Sequence, residues 1–189
     1  DLEFARAGQP IMDDVTFDAL DSGGVHKFAG SIEMGEDVDN SAGGVSVPSA
    51  GNKPVTQGGA PEGPVLFVNA GATLAMPEGA FVRINRGSQI LAQGSADSPI
   101  TITSINDIED SSNPIDATAQ WGGLQLNGNG LTNKCTEDER VNERCAEVSE
   151  GVPSFWGGNN NDESSGILNY VVVKHSGYEV APGNELNGI

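Results

Sequence analysis

With 189 residues the chain is long enough for one domain with a sizeable core, and its 26 glycines and 5% aromatics favour thin, repetitive β-structure over a helical globule. Its 27 acidic residues against 9 Lys and Arg give a formal charge of -18, which excludes nucleic acid, whose phosphates need a basic footprint, and disfavours an anionic membrane surface. No apolar run approaches the roughly 20 residues of a membrane-spanning helix, so insertion is not expected either.

Residues 1–40 carry two short apolar pieces, 15–20 and 25–32, between acidic and glycine-rich turns. They are expected to form a separate N-terminal arm or cap that pairs with another strand. Residues 41–62 are rich in Gly, Ser, Pro and Ala, the composition of a flexible linker. The chain begins at Asp1 without a signal peptide, so it reads as already processed.

The informative region starts at Gly63. Four consecutive eight-residue blocks, 63–70, 71–78, 79–86 and 87–94, each open on glycine and carry apolar residues at the same two inner positions. Those positions read Leu66, Leu74, Val82, Ile90 and then Val68, Met76, Ile84, Ala92. Alternation at period two marks a strand with one buried face, and a glycine at each restart suits a corner. A fixed internal repeat of this kind points to a parallel β-helix, a solenoid in which three blocks make one rung. Leu66 should then stack on Ile90, Val68 on Ala92 and Gly63 on Gly87. The alternative is an antiparallel meander. The connectors Asn69-Ala70-Gly71, Pro77-Glu78-Gly79 and Asn85-Arg86-Gly87 suit bends better than the Asn-Gly or Asp-Gly reversals of hairpins.

Later segments fit the same coil if loops are inserted at its corners. Ile100, Thr101 and Ile102 should cover Leu74 and Met76. After a polar excursion over 104–120, Leu124 and Leu126 should cover Val82 and Ile84. A second excursion, 127–165, precedes 167–174, which is too uniformly apolar to show which side chains face inward. The segment 185–189 resembles the start of a further strand. An uncovered solenoid end is a template for another chain, so head-to-tail or strand-addition contacts with a second copy are expected, and these build filaments.

Cys135 and Cys145 lie inside the second excursion. Their spacing is neither that of a zinc knuckle nor a redox Cys-x-x-Cys pair. A disulfide is expected, contributing on the order of 2 to 3 kcal/mol through the unfolded chain, and it implies an oxidising compartment. Two free thiols on a polar loop are the alternative.

Three stretches then carry a resemblance: Gly87-Ser88-Gln89-Ile90-Leu91-Ala92-Gln93-Gly94, Ser98-Pro99-Ile100-Thr101-Ile102-Thr103-Ser104, and Trp121-Gly122-Gly123-Leu124-Gln125-Leu126-Asn127-Gly128. Together with Gly157-Gly158-Asn159-Asn160-Asn161-Asp162, Ser165-Gly166-Ile167-Leu168-Asn169-Tyr170-Val171 and Gly183-Asn184-Glu185-Leu186-Asn187-Gly188, this run resembles large secreted or surface-attached right-handed β-helix proteins of Gram-negative bacteria, many of them marine. The resemblance covers residues 63–189 and implies a right-handed coil outside the cell or on its surface. Members of that family usually continue for several more rungs, so a longer natural chain is expected.

Signals for catalysis are few. There is no Gly-x-Ser-x-Gly elbow and no phosphate loop, and the two histidines, His26 and His175, lack metal-ligand spacing. Asp107, Glu109 and Asp110 offer paired carboxylates, but acidic triplets in polar loops are more often solvated or bind calcium. Hard oxygen ligands for Ca²⁺ gather there, in Asn159, Asn161 and Asp162, and in Glu179 and Glu185. The charge itself has two readings, a solvated acidic surface and calcium-holding carboxylates. Trp121 and Trp156 stand beside glycines and either stack on sugar or pack a loop onto the coil. The expectation is an all-β, right-handed parallel β-helix with long loop insertions, serving as a non-catalytic structural or adhesive element of the cell exterior. Its rival is a β-helix that binds or cleaves extracellular polysaccharide.

Overall fold

A computed structural model describes residues 9–51 and 61–189 of the chain. Three short strands come first: β1 (Val15–Phe17), β2 (His26–Lys27) and β3 (Ile32–Met34). Next are β4 (Val65–Asn69), β5 (Thr73–Met76), β6 (Phe81–Ile84), β7 (Gln89–Gln93) and β8 (Ile100–Ser104), a single helical turn α1 (Ile105–Glu109), and β9 (Gly123–Leu126). The long excursion holds α2 (Glu137–Val141) and a hairpin of β10 (Glu147–Val148) and β11 (Phe155–Trp156). Then come β12 (Gly166–Asn169), β13 (Val171–Val173) and a second hairpin of β14 (Glu179–Ala181) and β15 (Asn184–Glu185).

Among the described residues, strands adjacent in sequence do not pair, apart from the two hairpins. The ladders run β1-β4-β7-β12, β2-β5-β8-β13 and β3-β6-β9, and every contact within these three sheets is parallel. The chain thus visits the three sheets in a fixed order and returns to the first, each circuit lying on the one before. A bend rather than a reversal is needed between strands, and Gly71, Gly79 and Gly87 supply it with φ of 81°, 71° and 82°, a region that L side chains rarely adopt.

Apolar columns run across the circuits. Leu66 stands on Ile90 and Val68 on Ala92, as the eight-residue repeat requires, with Val15 and Phe17 completing the same columns from β1. Val82 meets Leu124 and Ile84 meets Leu126, extended by Ile32 and Met34 of β3. Leu66, Leu74, Met76, Ile84, Ile90 and Ile102 are fully buried in this interior, each worth about 1.5 to 3 kcal/mol of removed apolar surface. At the β2 end, His26 takes an inward position over Leu74 and packs its ring 5.1 Å from Phe17, while its Nε2 lies 2.7 Å from the Asp18 carbonyl oxygen.

Several expectations are corrected. The first forty residues are not a separate arm or cap: from Ile11 onward their described part supplies strands to all three sheets, while residues 1–8 lie outside the described residues. Strands of two or three residues are too short to display alternation, which hides them in the sequence. Nor does the described part of the 41–62 segment hang free. Ala50 is fully buried, and Pro48 packs so closely on Gly87 that a side chain there would collide with it. Small residues permit that approach, so a linker-like composition here reflects tight packing; residues 52–60 lie outside the described residues.

Ile100 and Ile102 are also displaced. Ile102 lies over Leu74, but Ser104 and not an isoleucine lies over Met76. A shift of two positions keeps each face inward, so the pattern alone could not reveal it. The uniformly apolar run 167–174 divides into β12 and β13 at Tyr170, whose φ is 48°. Val171 and Val173 then face Ile100 and Ile102, and Val172 points outward.

Candidate functional site

Strand β9 is the last full strand of its sheet, and a groove of about 330 Å³ opens along its outer edge. Alternation decides what β9 presents there. Asn127 N–H donates inward to the Ile84 carbonyl at 2.9 Å, while Leu124 N–H donates away from β6 to the Gly188 carbonyl at 3.1 Å. By the same alternation Leu126 N–H faces away from β6, toward the groove.

The β10–β11 hairpin forms one wall with Ser149, Glu150 and Trp156, and the chain around Glu185 and Asn187 forms the other. Arg83 anchors the first wall. Its guanidinium, 2% exposed, donates to Val152 O at 2.7 Å and to Gln125 Oε1 at 2.8 Å, pairs with Glu33 at 3.4 Å and lies 4.4 Å from the Phe81 ring centroid. Burial pulls its pKa below the guanidinium range, and Glu33 and Asp37 oppose that pull. Asn127 Nδ2 adds a bond to Ser154 Oγ at 2.8 Å, and Phe155 N–H donates to Asp37 Oδ1 at 2.8 Å. The two walls are joined to each other: Gly151 N–H donates to Asn184 Oδ1 at 2.8 Å, and Asn184 Nδ2 returns to Gly151 O at 3.3 Å. Leu186, 5% exposed, packs against Gly151 beneath that junction.

The groove therefore pairs an aromatic side chain with amides, a free-facing backbone N–H and two carboxylates. Trp156 is half-buried, and Lys134 Nζ stands 5.7 Å from its ring centroid. Such a surface offers apolar contact together with donors and acceptors of hydrogen bonds, the chemistry that a polyhydroxylated ligand requires.

Of the sequence-predicted residues, Trp156 and Glu185 line this groove and the others lie elsewhere. Trp121 is fully buried in the core, its Nε1–H donating to Lys174 O at 2.6 Å, so its role is packing and not stacking. Asp107 accepts from Lys174 Nζ at 2.6 Å, Thr103 Oγ1 at 2.8 Å and His175 Nε2 at 3.1 Å, and His175 Nδ1 lies 2.6 Å from Ala117 O. Burial by itself would raise the Asp107 carboxyl, but these donors outweigh it and hold the pKa below the usual 3.8. Glu109 pairs with Lys27 at 2.8 Å, and Asp110 accepts from Ser112, which holds its carboxyl low.

Asn161 Oδ1 accepts from Leu131 N–H at 2.7 Å, and Asp162 N–H donates to Asn160 Oδ1 at 3.0 Å. Asn159 lines a second, polar cavity of about 310 Å³ beside Asn129, Arg140 and Glu163. Glu179 Oε1 accepts from Gly183 N–H at 2.9 Å, across a hairpin in which Glu179 faces Glu185. Among the described residues no three His, Cys, Asp or Glu side chains converge to hold a metal ion. The proposed ligand sets are distributed over separate loops, and Asp107 and Glu109 are already paired with Lys174 and Lys27.

Cys135 and Cys145 form the expected disulfide, both nearly buried. It braces the loop carrying α2, whose Thr136–Glu139 capping box closes its first turn. Sequence reasoning missed Glu150, Gln125, Asn127 and Asn187 as groove residues. Gln125 alone had a readable signal, an outward polar position between the inward Leu124 and Leu126.

The chain matches, over residues 59–189, the family described as pectate-lyase like beta helix domain. It belongs to that family. No curated protein and no solved structure matches the chain. Membership in this beta-helix family agrees with the three parallel sheets and the ordered circuits.

Proposed function

We propose that the protein is a right-handed β-helical solenoid of the cell exterior that adheres, without catalysis, to polysaccharide in the groove along β9. The observation that carries this reading is the groove itself, with Trp156, Gln125, Asn187 and Leu126 N–H on surfaces that Arg83, Asn127 and the Asn184–Gly151 bonds hold in place. Preorganised walls lower the ordering cost of binding. Handedness follows from the near-universal preference of parallel crossovers. The disulfide supports an oxidising compartment.

The test is affinity electrophoresis of the full chain through gels containing soluble polysaccharides, with release of reducing ends assayed in parallel. At least one polysaccharide should retard the protein, Trp156→Ala should abolish the retardation at unchanged melting temperature, and no reducing ends should appear. Cleavage would instead overturn the non-catalytic part of the reading, and retention indifferent to Trp156 would move the binding site elsewhere.

Self-association through the β12–β13 edge is a second reading, favoured by the 37% exposure of Leu168, which stands in the inward column above Ala92. The net charge of -18 opposes it by repulsion between copies. Sedimentation at high ionic strength decides: a concentration-dependent increase in mass supports strand addition, and a monomer at every concentration removes it.

A further inference from the structure

The charge of the β9 groove restricts its ligand more sharply than the family's name does. Two carboxylates, Glu150 and Glu185, stand on its opposing walls, and no Lys or Arg is among its lining residues. The cation behind it is committed: the Arg83 guanidinium is buried and bonded to Gln125, Glu33 and the Val152 carbonyl. Lys134 contributes one ammonium at the Trp156 ring, outweighed by the two groove carboxylates in a chain whose net charge is -18. A polyuronate carries one negative charge on every sugar. Between charges closer than the Debye length of about 8 Å at physiological salt, counterions screen that repulsion only in part.

The polar groups that remain suit hydroxyls. Gln125 Oε1 is committed to Arg83 and Asn127 is buried and bonded to Ser154, which leaves the Gln125 Nε2 donor, the Asn187 amide, which both donates and accepts, the Leu126 N–H donor, and the two carboxylates, which accept from O–H donors. We infer that the groove takes a polysaccharide without acid groups, and that it discriminates against pectate-like polyuronates and sulfated glycans. This rests on the polysaccharide-binding reading above and names the ligand class within it.

Matched pairs of polymers isolate charge from stereochemistry. Highly methyl-esterified and fully de-esterified polygalacturonan share one backbone, as do hydroxyethyl and carboxymethyl cellulose. Binding of the full chain to each, in chelator-containing buffer, should be at least about tenfold tighter for the uncharged member of any pair that binds. Raising the salt should narrow that ratio. The Glu150→Gln/Glu185→Gln variant, two substitutions at the groove rim with the melting temperature as control, should also narrow it by admitting the acidic polymer, and Trp156→Ala should lose both members. Equal or tighter binding of the acidic members would overturn the inference while leaving polysaccharide binding intact. If neither member of any pair binds, nor any other neutral glycan, the reading beneath it falls and the inference falls with it.

Discussion

Arg86 sits at the corner before Gly87 with 3% exposure, which is unusual for a residue that cannot shed its proton. Its guanidinium donates to Gly157 O at 2.8 Å, Cys145 O and Asn40 Oδ1 at 3.1 Å, and the Val38 carbonyl. Three remote stretches of chain therefore meet on one side chain. Burial draws its pKa down, and Asp37, Glu163 and Asp39 hold it up. Arg86→Ala leaves several buried carbonyls unpartnered and should cost about 3 kcal/mol in urea denaturation. Arg86→Lys should recover little, because a single ammonium cannot span four acceptors. Asp107 predicts a pH effect. Its folded pKa lies below 3.8, so the stability it contributes is complete above that value and is lost as the pH falls through the lower, folded value. Denaturation midpoints measured from about pH 5 to about pH 2 should show that loss, and Asp107→Asn should remove its share of the slope.

At the scale of elements, the loop closed by Cys135–Cys145 is fastened by α2, by Arg140 donating to the Cys135 and Thr132 carbonyls, and by Arg86. A Cys135→Ser/Cys145→Ser variant should lose about 2 to 3 kcal/mol while retaining the parallel ladders of β4–β9, checked by amide exchange under non-denaturing conditions. The legibility of the elements differed for physical reasons. The register of β4 on β7 and β6 on β9 was readable because a strict repeat makes each strand the template of the next. The register of β8 was not, because the corner formed by 95–99 has its own length and a slip of two residues leaves the inward face unchanged. Strands β1–β3 were hidden by brevity. The groove was the least readable feature, since nothing in the local pattern of 127–165 or 185–189 says that these segments land beside β9.

For the whole molecule, stability should follow position along the stack. Residues of β4–β8 have a circuit on each side and are almost wholly buried, whereas all of β14 and half of β12 are exposed. Native-state amide exchange should accordingly be slowest in β4–β8 and fastest in β14–β15, with β12 and β13 opening before the inner circuits. A single cooperative transition reaching every strand at the same free energy would contradict a stacked, nearest-neighbour architecture.

The sequence by itself determined the repeating strand, the inward columns, the glycine corners and the pairing of the two cysteines, because each depends on residues close in the chain. Only the tertiary structure decided that residues 11–34 complete the sheets, that Trp121 is core while Trp156 lines a groove, and that Arg83 and Arg86 are buried posts for distant loops. Those outcomes depend on contacts between segments dozens of residues apart, whose meeting is set by stacked geometry that no local pattern encodes.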